Sequence, residues 1–345
     1  MQSLTAMQTP SQPRVYAGTA GHSAWFSDDL GDTWTHPNSH SGLYTEARVW
    51  SLSSHPSDPQ SLYAGTDMGI FRWDEATARW ELLPSPMQDV WALAQDPDDA
   101  RVIYAGTRPA GFYRSADGGR TWKALDAPGI TTFSEVNKGP TRVTQMLFDP
   151  FDRDTMWAGV EIGGIYRSDD RGHSWKLLDK GLVSCDVHGL AVVRNRDGRK
   201  SVLATTNKGL HRSEDNGETW TFQKLDSPWQ YTRAITPSAD GETVFLTNGN
   251  GPPGNSGRLL RSRDAGHTWE EIALPGKLNS SLWCVAVHPA DPRLLFACTN
   301  LGQVFRSSDG GNTFTRLERE FGEVRALHWR PAASAGAKHS VWTYK

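Results

Sequence analysis

The sequence predicts an all-β protein, a seven-bladed β-propeller of four-stranded antiparallel blades, and three observations lead there. One eight-residue phrase recurs along the chain, each recurrence belongs to a unit with four short strand signals, and the two chain ends complement one another. The phrase runs Ser27 to Trp34, Ser115 to Trp122, Ser168 to Trp175, Ser213 to Trp220, Ser262 to Trp269 and Ser307 to Phe314. A degenerate copy, Trp73 to Trp80, keeps the spacing and the final Trp but has lost the Ser, Asp and Gly. The closing aromatics at 34, 80, 122, 175, 220, 269 and 314 set a period of 42 to 53 residues, the length of one blade.

Each unit has the same grammar. The apolar run Val90 to Ala94 leads to Asp-Pro, then Val102 to Thr107, Gly111 to Ser115 and Thr121 to Leu125 follow, rich in β-branched and aromatic residues and broken by glycine turns. Six such units begin near Val49, Val90, Val143, Val187, Thr232 and Leu282. The ends supply the seventh: Glu323 to Pro331 reads as a first strand, and Arg14 to Thr19 onward to Trp34 as strands two to four. Pairing them in one blade closes the ring and removes two open sheet edges. Residues 1–13 are expected to form a flexible segment and 14–345 a single propeller domain, with no strand assigned to 339–345.

Composition narrows the function. With 36 Lys+Arg against 39 Asp+Glu in 345 residues, the net charge of −3 excludes nucleic-acid binding through a bulk basic surface. No apolar run reaches the ~18 residues of a membrane helix, and Met1 to Pro13 lack the pattern of a secretory signal. Three cysteines, Cys185, Cys284 and Cys298, fit a reducing compartment, so a cytoplasmic location is expected.

The repeated phrase resembles the Asp-box, the bacterial neuraminidase repeat Ser/Thr-x-Asp-x-Gly-x-Thr-Trp/Phe, and the resemblance covers essentially the whole chain. Its Asp can accept backbone hydrogen bonds in the turn between strands three and four, its Gly supplies an unusual φ and its Trp packs between sheets. Repetition in every unit assigns all the boxes to structure. The 3-to-4 turns lie on the face opposite the 2-to-3 and 4-to-1 loops. That other face carries the three insertions, Thr35 to Ala47, Asp126 to Thr141 and Thr247 to Gly257, so ligand chemistry is expected there.

Aligning the starts of the first strands places Arg48, Arg142, Arg233, Arg325 and His188 together around the mouth of a central funnel, with Asp89, Asp186, Tyr231 and Glu323 in the same ring. Aligning the ends of the second strands gives Asp67, Arg108, Glu161, Asn207 and Asn300. These positions vary between blades although the scaffold repeats. Converging cations favour an anionic or polyhydroxylated ligand; a lattice of Arg–carboxylate pairs plugging the channel is the structural alternative. Asp67 and Glu161 are the acid/base candidates, with His188, for chemistry that in inverting glycosidases needs carboxyls roughly 6.5–9.5 Å apart. The arginines, with Tyr44, Tyr231, Asn207 and Asn300, are expected to bind substrate. No metal-ligand spacing and no cofactor motif is present.

The stretch Thr66-Asp67-Met68-Gly69-Ile70-Phe71-Arg72-Trp73 resembles the Thr-Asp-Ile/Val-Gly-Gly-x-Tyr-Arg-Trp segment of two-propeller xyloglucanases, with Ile70 in place of the second Gly. That resemblance implies a catalytic Asp67. Sialidases share the box, but no Arg-Ile-Pro segment stands near the N-terminus and none of their residues is carried over. The chain as a whole is similar to bacterial single-domain Asp-box propellers described as sialidase-like or glycosyl-hydrolase-like. The leading expectation is a hydrolase or lyase acting on a polar or anionic, glycan-like small molecule in the funnel, with no nucleic acid, membrane or cofactor involved. The alternative is a non-catalytic propeller that binds a ligand or assembles with a protein partner, resembling the Asp-box propeller factor of photosystem II assembly.

Overall fold

The computed structural model describes residues 12–36 and 39–331, so the expectations for 1–11 and 339–345 fall outside the described residues. Six four-stranded antiparallel sheets and one three-stranded sheet form the seven blades, and a two-stranded hairpin, Phe133–Ser134 with Gly139–Pro140, rises from the connection between blades 2 and 3. The inner strands are Val49–His55 (blade 1), Asp89–Gln95 (2), Arg142–Asp149 (3), Val187–Arg194 (4), Tyr231–Pro237 (5), Leu282–Ala286 (6) and Val324–Arg330 (7). Each touches the next in cyclic order, and that of blade 7 returns to blade 1. Among the described residues no helix is long and apolar enough to cross a membrane.

Blade 7 joins the chain ends as expected: Val324–Arg330 pairs with Arg14–Thr19, which pairs with Ala24–Ser27. Its fourth strand shrinks to a single bridge between Phe26 and Thr35. Among the described residues there is no central core. The apolar residues divide into seven clusters, one at each junction of adjacent blades, because a sheet buries its faces only against its neighbours. The Ala-Gly-Thr ending of the second strands follows from this packing. A Cβ on Gly106 would meet Val143 Cγ1 of the next inner strand at 2.4 Å, and one on Gly18 would meet Val49 Cγ1 at 2.7 Å.

The Asp-boxes are hydrogen-bonded turns, as the sequence implied. Asp264 accepts from Thr268 N at 2.8 Å and Thr268 Oγ1 at 2.6 Å, while Gly266 N donates to Ser262 Oγ at 2.7 Å. The box glycine has a positive φ, +84° at Gly266, and a close neighbour, Leu203 Cδ1 at 2.7 Å from its would-be Cβ. Burial raises Asp264, but the bonds from Thr268 and Ser262 outweigh it and hold the carboxyl at about 2; Asp309 sits at about 2 by the same balance. Asp117 reaches about 2 through Thr121 and Ser115 with little burial to oppose them. Asp29, Asp170 and Asp215 shift the same way. A folded pKa below the unfolded value of about 3.9 contributes stability that is complete above the unfolded pKa and is lost as pH falls through the folded one. The midpoint of thermal unfolding, followed by circular dichroism, is therefore expected to fall most steeply between about pH 4 and pH 2, and Asp264→Asn is expected to flatten that fall.

Candidate functional site

Every inner strand breaks register with its neighbour near its start. The residue passed over is Trp50, Trp91, Thr144, His188 and Trp283 in blades 1, 2, 3, 4 and 6, Arg233 with Ala234 in blade 5, and Arg325 in blade 7. A bulge leaves one residue out of the ladder and re-aims its side chain. Here the irregularity recurs at one level around the ring, and all of these residues line an axial cavity of about 240 Å³.

Two residues earlier on each inner strand lies an upper tier, joined to the end of the second strand. The couples are Arg48 with Asp67, Asp89 with Arg108, Arg142 with Glu161, Asp186 with Asn207, Tyr231 with Gly249, Ser281 with Asn300 and Glu323 with Ala20. The single ring read from the sequence is thus two levels: His188, Arg233 and Arg325 lie in the lower one, Arg48, Arg142 and Tyr231 in the upper.

An aromatic and cationic belt links the levels. Trp50 stacks on Trp91 with centroids 4.0 Å apart, and Arg142 lies over Trp91 at 4.1 Å. Across the mouth, Arg233 and Arg325 flank Trp283 at 4.1 and 4.8 Å, and Arg325 reaches Trp50 at 5.9 Å. His188 stands 5.1 Å from Tyr231 and its Nδ1 meets the Thr232 carbonyl at 2.7 Å, which leaves Nε2 facing Asp186 Oδ1 at 3.4 Å.

Among the carboxylates here, Asp186 Oδ1 is buried without a hydrogen-bond partner among the described residues, and Glu161, Asp89 and Glu323 are committed. Arg142 grips Glu161 Oε2 through Nε at 2.7 Å and Nη2 at 2.5 Å. Asp89 accepts from Trp50 Nε1 at 2.7 Å and lies 4.0 Å from Arg108; Glu323 pairs with Arg325. Burial raises the Asp186 carboxyl, yet His188, Arg233 and Arg142 hold it below its usual range. Burial lowers Arg142, with Glu161 opposing, and burial with Arg233 and Arg142 brings Arg325 down to about 10. Burial pushes Tyr231 up against the pull of Arg233. Among the described residues, no carboxylate lies within 4.0 Å of the Arg233 guanidinium.

The structure therefore brings Arg108, Arg142, Glu161, His188, Tyr231, Arg233 and Arg325 into one electrostatic cluster. Asn207 Oδ1 and Asn300 Nδ2 are buried at its edge without a hydrogen-bond partner among the described residues. Asp67 does something else: its Oδ1 accepts the backbone N–H of Arg48 at 3.0 Å, capping its own blade. Arg48 and Tyr44 are exposed on the rim. The sequence reading missed Trp50, Trp91 and Trp283, which follow Val49, Val90 and Leu282 at the register of His188, Arg233 and Arg325. Carrying that alignment through all the units would have found them. Glu161, Asp186 and His188 also converge without any spacing motif, their ligand atoms within 4.8 Å of one another. The guanidiniums of Arg142 and Arg233 beside them oppose a divalent cation there.

Seven blades built on these boxes make the protein a BNR (Asp-box) repeat β-propeller. Residues 165–178 match the BNR-Asp box repeat, and residues 183–335 match the family described as photosynthesis system II assembly factor YCF48. A Paenibacillus xyloglucanase is 26% identical over 240 residues, 59% of this chain and 23% of its own length, so the chain spans about a quarter of that relative. A GH74 enzyme from Niastella koreensis superposes with a TM-score of 0.61 at 22% identity, over 78% of this chain and 45% of that one. YCF48 bound to a D1 peptide superposes with a TM-score of 0.53 at 15% identity, over 85% of this chain and 98% of that one. At these identities the two structural likenesses speak for the fold alone.

Proposed function

We propose that this chain is a binding propeller that seats a carboxylate of a polypeptide partner at the mouth of its channel. The observation that carries the reading is the mismatch at the mouth: Glu161, Asp89 and Glu323 are already engaged and Asp186 faces His188, whereas Arg233, laid against Trp283, has no carboxylate within 4.0 Å among the described residues. That arrangement favours holding an incoming anion over moving protons. The surroundings support a macromolecular ligand. Tyr44, Met68, Phe133, Val136, Val183 and Leu301 are exposed large apolar residues, and all belong to 2-to-3 or 4-to-1 connections, on the face of the funnel. A ring of apolar contacts around a cationic centre is the pattern of a protein interface with a charged anchor. The match to the assembly-factor family adds weight, since residues 183–335 span blades 4 to 6 and the inner strand of blade 7, where the upper tier lacks Arg–carboxylate couples across its hairpins.

A second reading, glycan hydrolysis at Asp67, is favoured by the similarity to xyloglucanases and by the Thr66 to Trp73 stretch. Calorimetric titration with short acidic peptides, each paired with its C-terminally amidated and side-chain-neutralised forms, separates the two. Binding is expected to disappear with the carboxylate and to weaken with added salt. Release of reducing sugar from xyloglucan oligosaccharides, abolished by Asp67→Ala, would overturn the binding reading.

A further inference from the structure

We infer that Cys284 and Cys298 form an oxidation site in the channel wall, where a hydroperoxide entering the cavity converts the pair into a cross-strand disulfide. The two cysteines face each other across the first and second strands of blade 6. Directly opposed residues of an antiparallel pair have Cα atoms about 4.5–5.5 Å apart, inside the span of about 4.4–6.8 Å that a disulfide accepts. The two residues are direct partners in the register, so bond formation asks little of the backbone.

Their surroundings divide the labour. Cys284 lines the axial cavity together with Arg233 and Arg325, so a small solute reaches it. Cys298 is fully buried in the apolar junction of blades 6 and 7, with Trp283, Phe296 and Trp329. The neighbouring Cys298 and the two guanidiniums lower the Cys284 thiol, whereas burial raises Cys298. Cys284 is therefore the peroxide-reactive sulfur and Cys298 the resolving one. The Cys284 thiolate attacks the peroxide and breaks the O–O bond; the departing oxygen takes a proton and leaves as water, or as the alcohol of an organic peroxide. The sulfenic acid left on Cys284 is attacked by Cys298, the S–O bond breaks, and its hydroxyl takes the Cys298 proton and leaves as water. Two thiols and one peroxide have become one disulfide.

The step also changes the site. The Cys284 thiol donates to the Arg325 carbonyl at 3.3 Å, tying blade 6 to blade 7 at a belt residue. A disulfide has no S–H to donate, so oxidation releases that tie.

The test uses the full chain carrying Cys185→Ser, which removes the exposed thiol. After treatment with one equivalent of hydrogen peroxide and quenching, the unfolded protein is alkylated and its peptides are mapped. Both remaining thiols are expected to be lost together, with the Cys284 and Cys298 peptides joined. In a Cys185→Ser, Cys298→Ser variant, dimedone is expected to label Cys284. Two thiols that stay fully alkylatable, at peroxide levels that oxidise Cys185 in the unaltered chain, overturn the inference. So does a Cys284 that goes to sulfinic acid while Cys298 remains free.

Discussion

Glu75→Gln is expected to destabilise the protein by about 3–5 kcal/mol, because it leaves two buried guanidiniums facing a neutral amide. Arg14 Nη1 lies 2.5 Å from Glu75 Oε1, Arg330 Nη2 lies 2.6 Å from Oε2, and Trp73 Nε1 donates to Oε2 at 2.9 Å. The three charged residues are each less than a tenth exposed. Arg14 opens the second strand of blade 7, Arg330 ends its inner strand, and Glu75 follows the third strand of blade 1. One carboxylate thus fastens both terminal strands to the first blade and closes the wheel. The substituted amide keeps the shape and some hydrogen bonds, so the loss reports charge rather than a cavity. Asp28, the other partner of Arg14, is largely exposed, and Asp28→Asn is expected to cost less than about 1 kcal/mol. Urea unfolding of the two variants against the parent checks the contrast; equal losses would mean that the clasp contributes no more than a surface pair.

Glu75 also shows where sequence reading stops. It occupies the Asp position of the degenerate repeat, Trp73 to Trp80, and looked like decay of the motif. The acid is kept, but it turns inward to residues 61 and 255 positions away, which no local pattern encodes. What repeats was legible: the blade count, the shared terminal blade, the structural boxes and the face carrying the insertions. Strand periodicity and turn chemistry are local, and copying them along the chain leaves the signal in plain view. The radial order of the ring was legible too, since aligned starts collected most of the cluster. Its split into two levels was not, because a bulge changes the pointing of one residue without changing composition. The partner of Asp67 was not legible for a related reason: its neighbours in sequence match a catalytic stretch, while its hydrogen bond goes to a backbone amide 19 residues away. The hairpin inside 126–141 is only two residues per strand, too short for alternation to register.

Arg233→Met is expected to weaken binding of a carboxylate peptide by about 10- to 100-fold while leaving the unfolding midpoint nearly unchanged. A hydrogen bond to a charged group contributes about 1.5–3 kcal/mol, and about 1.4 kcal/mol is tenfold in affinity. The small stability change follows from the surroundings. Arg233 has no carboxylate within 4.0 Å among the described residues; its charge repels Arg325 and Arg142 and helps hold Asp186 below its usual range, so gain and loss offset. With burial, it helps draw Arg325 down to about 10, and its removal relieves that repulsion. Met keeps the length of the stem and can lie on Trp283 in its place. Arg142→Met should behave differently, because it strands Glu161, and a carboxylate left without its guanidinium costs stability as well as affinity. Calorimetric titration and scanning calorimetry on both variants decide the matter. An Arg233→Met midpoint as low as that of Arg142→Met would make Arg233 a structural cation, and the mouth would lose its free anchor.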